Sequence, residues 1–277
     1  MGIKLGFIVE SRYLRQNMPA AVIDVLKSRN IDIDILNPLE SYFDLRSGYF
    51  HDAGGRSYCL KNYSAIVSRN RNALGLSMLC YAEMCGIPVI NTHMAVQKVR
   101  NKAKMAIALE QACIPSVQTF LANDTSVLST LADTAFPLIL KATYGDNSQG
   151  LRLVRSPTEL AEIQWGSDLV LAQCFMNTDG FDLKLYVIED RVFAVRKPSP
   201  FNSDIEAQAQ LIEPEQYMID LALRCGALFG LDLYGVDTIE GPNGLEVIEV
   251  NDFPNYTGIA GVAEQIADYV LKRCRDR

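Results

Sequence analysis

The sequence predicts an α/β fold arranged in three lobes, and two observations carry that expectation. Short apolar runs alternate with amphipathic helical stretches from one end to the other, with Gly, Pro, Asn and Asp between them. Of 277 residues, 49% are hydrophobic and 21% charged, which is enough for sizeable cores and too apolar for a disordered chain.

The first lobe is expected over residues 1–95. Residues 4–10 read as a short buried strand and 11–17 as a polar loop. A helix over 19–28 follows, with Pro19 at its start, where a missing N–H costs nothing. Residues 31–36 alternate apolar side chains with Asp, the period of a strand, and Asn37-Pro38 ends it. Gly54-Gly55 marks a turn or small hairpin over 49–58. A third strand over 65–67 ends at Ser68-Arg69-Asn70-Arg71. Residues 74–85 are helical with Gly86 as the stop, and 88–90 form a fourth strand. That order describes an open α/β lobe.

The second lobe is expected over 96–172. One amphipathic helix covers 96–113, carries Arg100, Lys102 and Lys104, and is broken by Ile114-Pro115. Strands over 117–121 and 137–141 surround a helix near 126–132, and a further strand spans 151–154. A short helix over 157–163 is capped by Ser156. A strand over 169–175 leads into the third lobe, 173–277. There, strands over 183–188 and 191–196 meet at the Glu189-Asp190 turn, and a helix covers 213–229. A hairpin pairs 233–240 with 245–251, and a last helix spans 261–272.

Charge and cysteines exclude several classes. The net charge is -7, with no run of Lys and Arg, so general affinity for nucleic acid or anionic membrane is not expected. Seven cysteines, an odd number without a C-x-x-C pair, disfavour a disulfide framework or zinc site and favour a reducing cytoplasm. The apolar stretch near residue 4 is too short for a signal peptide or membrane span, and Gly2 lacks a myristoylation context.

The hairpin near the end of the sequence carries the densest chemistry. Glu249 and Asn251 are two apart on a strand and share a face, and Asp237 can sit across from them. Two carboxylates and an amide oxygen are hard ligands suited to Mg²⁺ that also touches phosphates. Solvated acids are the plainer account, but Val236, Val247, Ile248 and Val250 make the hairpin at least half buried. Lys141, closing the apolar run Pro-Leu-Ile-Leu-Lys, calls for an anionic partner. The loop behind it, Gly145 to Gly150, is glycine-containing and polar, suited to phosphate oxygens and equally to an ordinary hairpin turn. Arg12 and Arg15 follow the first strand, and Arg69 and Arg71 the third. In open α/β sheets ligands gather at carboxyl ends of strands, so these four are candidates for an anionic substrate or ordinary surface arginines. His51 and His93 have no partner spacing and read as structural or surface residues.

Taken in order, Lys102 in Val-Arg-Asn-Lys, Lys141 with its loop, Leu-Ala-Gln-Cys-Phe-Met at 171–176, Asp182-Leu183-Lys184, Gly235-Val236-Asp237 and Glu249-Val250-Asn251 resemble the ATP-grasp superfamily. The likeness is greatest to its glutamate ligases that modify ribosomal protein and their amino-acid-ligase relatives. It implies an ATP-grasp fold preceded by the open α/β lobe, with ATP and Mg²⁺ as cofactors. It implies that Lys102 and Lys141 hold phosphates and that the loop with Gly145, Ser148 and Gly150 closes over them. Gln173, Cys174, Phe175 and Met176 would meet adenine largely through backbone groups, and Asp182 would stand near the ribose. Asp237, Glu249 and Asn251 would carry magnesium.

Lys184, Arg196 and Lys197 are then the candidates beside the reacting groups. Asn202 and Asn255 join the four arginines as substrate candidates. The substrate is expected to be an anionic small molecule or peptide. The Arg-Gly pair common in that ligase branch is missing, replaced by Arg196-Lys197-Pro198-Ser199-Pro200-Phe201-Asn202. Lys197-Pro198-Ser199 and the turn from Asn251 to Gly258 are also similar to inositol-polyphosphate kinases. The implied reaction is therefore ligation of a carboxylate to an amine through an acyl phosphate, with phosphoryl transfer to a hydroxyl as the alternative. A non-enzymatic nucleotide-binding module is disfavoured by the intact set of lysines and acids.

Overall fold

A computed structural model describes residues 2–144, 151–166, 169–176, 180–199, 208–241 and 244–275. The chain starts with β1 (Lys4–Val9), α1 (Ser11–Leu14), α2 (Asn17–Ser28), β2 (Asp32–Leu36), β3 (Ser41–Asp44), β4 (Tyr49–Asp52) and β5 (Ser57–Cys59). It continues through β6 (Ala65–Arg69), α3 (Ala73–Met84) and β7 (Val89–Ile90). Strands β2-β1-β6-β7 form a parallel sheet. Both faces of its inner strands are apolar because both are covered. Ile8 and Ile66 pack on Met78 and Leu79 of α3, while Leu5, Phe7, Ala65 and Val67 join Val22 and Leu26 of α2.

Next come α4 (His93–Arg100), α5 (Lys102–Gln111), β8 (Thr119–Ala122), α6 (Thr125–Leu128), β9 (Leu138–Ala142), β10 (Arg152–Val154), α7 (Pro157–Ala161) and β11 (Val170–Cys174). Their antiparallel sheet runs β10-β9-β11-β8 over a small core of its own, with Leu138, Leu140, Val154, Leu160 and Val170. The last part holds β12 (Phe181–Ile188), β13 (Arg191–Pro198), β14 (Gln210–Ile212), α8 (Gln216–Phe229), β15 (Leu233–Gly241), β16 (Gly244–Asp252) and α9 (Val262–Arg273). These strands form an antiparallel sheet in the order β14-β13-β12-β15-β16. One face, with Leu185, Val187, Val236 and Val250, packs on α5 and α8 through Met105, Leu109, Leu221 and Phe229. On the other, Tyr186, Ile188 and Val195 meet α9 and share one core with the parallel sheet.

Several expectations change. The helix expected over 96–113 is two helices, because Asn101 is extended (φ -93°, ψ 100°) and its side chain caps α5 by accepting from Lys104 N at 2.9 Å. The expected polar loop after β1 contains one helical turn, α1, which buries Tyr13. The hairpin expected over 49–58 is part of a three-stranded sheet, β3-β4-β5, starting at Ser41 and held by Phe43 edge-on to Tyr81. The helix near 126–132 is the single turn α6, and β14 was not anticipated. The expected boundary between 172 and 173 falls inside β11.

Two ties position the sheets. Asn91, 1% exposed, accepts from Asp232 N and Leu233 N at 2.8 and 2.9 Å and donates to Leu233 O at 2.7 Å. The segment entering β8 pairs with β16: Val247 N donates to Pro115 O at 2.9 Å, and Val117 N to Val247 O at 3.1 Å.

Candidate active site

One face of the five-stranded sheet collects the charged candidates, because opposed residues in antiparallel strands share a face. Lys197 is paired with Asp182, Lys184 with Asp237, Asp237 with Glu249, and Gly235 with Asn251. Farther along β12 the same face carries Tyr186 and Ile188, so it changes from polar site to core along its length. Gly235 makes the crossing of Lys184 feasible: a Cβ there would stand 3.3 Å from Lys184 Cε and 3.2 Å from Pro254 Cγ.

Lys184 Nζ is 2.7 Å from Asp237 Oδ1, Asn251 Nδ2 donates to Asp237 Oδ2 at 2.9 Å, and Lys102 is ion-paired with Glu249. Burial works to raise the Asp237 pKa, but Lys184 and Lys197 outweigh it and hold the carboxyl below its ordinary range. Burial likewise works against the Lys184 ammonium, and Asp237 overcomes it, so Lys184 stays charged. A β-bulge helps aim Glu249. Asp237 faces Glu249 while Thr238 faces Val247, which leaves Ile248 as the extra residue.

The donor set fits a hard cation. Asp237 and Glu249 are direct cross-strand neighbours, and Asn251 adds an amide oxygen. Among the described residues no three His, Cys, Asp or Glu side chains group as a metal site, so the candidate ligands are two acids and an amide. His51 stacks on Tyr42 at 4.7 Å in the small three-stranded sheet, and His93 opens α4.

Lys141 on β9 is 6% exposed, and burial pushes its ammonium down to about 8 despite the opposing pull of Glu249. Its Nζ donates to Gln173 Oε1 at 2.5 Å. Lys102 N donates to Thr143 O at 3.0 Å, which fastens the start of α5 to the strand end behind Lys141. The sequence reading missed this break, although Asn101 before Lys102 is a helix-cap signal. Gly145, Ser148 and Gly150 lie outside the described residues.

Within the stretch expected to meet adenine, two backbone donors are used inside the protein. Cys174 N donates to Gln118 O at 3.0 Å and Phe175 N to Pro137 O at 2.8 Å, so both are engaged within the protein. The Gln173 side chain is buried and turned to Lys141, and the Met176 methyl lies against Gly241. Asp182 is raised by burial, with a bond from Ser199 and the charge of Lys197 opposing.

The arginines are only partly brought together. Glu10, 3% exposed, accepts from Arg12 Nε at 2.8 Å and Arg71 N at 2.5 Å, joining the loops after β1 and β6. Arg71 approaches the buried Asp252 at 3.8 Å. Arg69 donates to Gln16 Oε1 at 2.7 Å and Asn255 Oδ1 at 3.0 Å, and burial lowers its pKa. Arg69 and Asn255 thus bridge the parallel and five-stranded sheets. Arg15 is exposed at the end of α1. Arg196, expected beside the reacting groups, is paired with Leu183, so it falls on the face opposite Lys197 and stacks 3.7 Å from the Phe181 ring centroid. Asn202 lies outside the described residues. Glu10 and Asp252 were missed, and a buried acid at the end of an apolar strand was the available signal for each.

A family model described as RimK-like ATP-grasp domain matches residues 99–271, which span the sheet of β8 to β11 and the sheet of β12 to β16. A probable alpha-L-glutamate ligase 1 of Shewanella amazonensis is 27% identical over 260 residues, covering 87% of this chain and 85% of the relative. The crystal structure of a RimK domain ATP-grasp protein from Sphaerobacter thermophilus superposes with TM-score 0.74 at 18% identity, over 96% of this chain and 98% of the other. ATP-grasp ligase PsnB, complexed with minimal precursor, Mg and ADP, gives TM-score 0.73 at 17% identity, over 98% of both chains. The fold is thus that of ATP-grasp ligases, and none of these relatives favours the kinase alternative.

Proposed function

The chain belongs to the RimK-like ATP-grasp family, matched over residues 99–271, and from that premise we propose that it is an ATP- and magnesium-dependent carboxylate–amine ligase. ATP converts a carboxylate to an acyl phosphate, an amine displaces the phosphate, and ADP and phosphate leave as an amide forms. The observation that carries this reading is the single face bearing Lys184, Asp237, Glu249 and Asn251, with Lys102 ion-paired to Glu249. Asp237, Glu249 and Asn251 are the residues suited to hold magnesium, which would supply charge neutralisation at the phosphates. Lys102, Lys141 and Lys184 bind and orient the phosphoryl group by charge, and this positioning is the main demand of phosphoryl transfer. Gln173 to Met176 and Asp182 are assigned to the nucleoside side.

The acceptor is proposed to be an anionic small molecule or peptide, between Arg12, Arg69 and Arg71 and the segment beginning at Lys197. PsnB, with its precursor, is the precedent for a peptide. The chain's lobes are taken as 1–95, 96–172 and 173–277, with β11 carried across the last boundary, and its compartment as the cytoplasm, on the odd cysteine count and the requirement for ATP. The test is turnover against amino acids and short peptides, with ADP and phosphate measured separately. Equal release of both together with amide product is expected, and ADP without phosphate overturns ligation. Replacing Arg69 by Ala should raise the acceptor Michaelis constant about ten- to a hundredfold and leave that of ATP nearly unchanged, while Lys197→Ala, which also faces Asp182 and Asp237, should raise both constants. If neither moves the acceptor constant, the acceptor lies elsewhere.

A further inference from the structure

We infer that Gln173 is a positioning residue: its buried amide sets Lys141 for the nucleotide phosphates and ties that lysine to the backbone beside Glu249. The inference rests on the reading of Lys141 as a phosphate ligand and adds to it.

Gln173 and Lys141 are each 6% exposed and sit on adjacent strands, β11 and β9. The amide uses both ends. Its Oε1 accepts from Lys141 Nζ at 2.5 Å. Its Nε2 donates to Thr119 Oγ1 at 3.2 Å and to Ile248 O at 3.4 Å. Ile248 is the bulged residue of β16, immediately before Glu249. One side chain therefore connects a phosphate-site lysine on the central sheet to the irregular backbone carrying a candidate magnesium ligand on the other sheet.

The choice of an amide has a physical reason. A buried ammonium needs an acceptor, and a carboxylate there would cancel the charge that a phosphate must meet. The neutral carbonyl of Gln fixes the direction of Nζ and leaves its charge available. The Nε2 donors satisfy the other end of the amide, so no polar group is left over to favour another rotamer. The expected adenine role of this residue involved its backbone, and its side chain is available for this second role.

The experiment is a double-mutant cycle on magnesium ADP affinity, measured by calorimetry with Gln173→Met, Lys141→Met and the double variant. Thermal unfolding serves as the folding control. Lys141→Met should weaken binding, and Gln173→Met should weaken it about tenfold. The double variant should bind no worse than Lys141→Met alone, because the amide acts through the lysine. A role limited to holding the sheets together would instead give additive losses. Gln173→Glu, nearly the same in size, keeps the test alive if the Met variant is unstable; its carboxylate pairs with Lys141 and should also weaken ADP about tenfold. Additive losses, or unchanged affinity in a folded Gln173 variant, overturn the inference while leaving the function standing. Unchanged affinity in Lys141→Met overturns the phosphate reading and the inference with it.

Discussion

Burial holds the Lys141 ammonium at about 8, well under the ordinary lysine value of 10.5. A phosphate placed beside it favours the charged form. Nucleotide binding at a pH of about 8.5 should therefore take up a proton. Calorimetry in two buffers of different ionisation enthalpy measures that uptake, and heats that do not depend on the buffer would show that Lys141 does not titrate there. The sign for stability follows from the same shift. Between about 8 and 10.5 the unfolded chain binds more protons than the folded one, so this residue's contribution makes stability rise with pH across that window. Glu249 gives a second prediction at this scale. Glu249→Gln keeps the size but removes the charge facing Lys102 and the candidate metal, and turnover should fall on the order of a hundredfold with the fold retained. Near-normal turnover with unaltered magnesium dependence would remove Glu249 from the metal set.

Helix α8 shows how packing overrides local preference. Gly226 lies inside it, and alanine would ordinarily stabilise a helix interior by about 1 kcal/mol. A Cβ at 226 would stand 2.2 Å from the hydroxyl of Tyr234, which is 1% exposed and donates to Ala222 O at 2.9 Å. Overpacking of that kind costs about 1–3 kcal/mol, so Gly226→Ala should be net destabilising. Urea unfolding reads the sign, and Tyr234→Phe should recover part of the loss. The elements most legible in the sequence are those with a strong period or a paired face. The parallel sheet, the β15–β16 hairpin, and Glu249 and Asn251 on one face belong to this group. What stayed hidden depends on contacts distant in the chain. The Asn101 break had a local cap signal that was passed over, whereas α1 depends on the burial of Tyr13 and the direction of Gln173 on Lys141 and Ile248. The split of Arg196 from Lys197 was also hidden, because neighbouring residues on a strand point to opposite faces and the two were read together.

Across the whole molecule the apolar interior is divided unequally. The parallel and five-stranded sheets share one large core, whereas the sheet containing β9 and β11 has a small core of its own. Regions with fewer buried contacts open at lower free energy. Hydrogen exchange should therefore be faster for amides of β9 and β11 than for those of β12 and β15, and bound nucleotide should slow the first pair most. Equal exchange in both pairs would show that these two sheets open as one. The shared core has a further consequence, for synthesis. Helix α9 packs against α2, with Arg29 donating to Asp268 across 239 residues of chain. The core formed by Leu5, Phe7 and Val67 also includes side chains of α9, which follows the other described elements in the chain. Contacts so remote in sequence form late, and exposed apolar surface invites association in the meantime. A chain growing on the ribosome therefore carries its first sheet unsealed until α9 emerges, and the order of synthesis runs against the order in which that sheet can close.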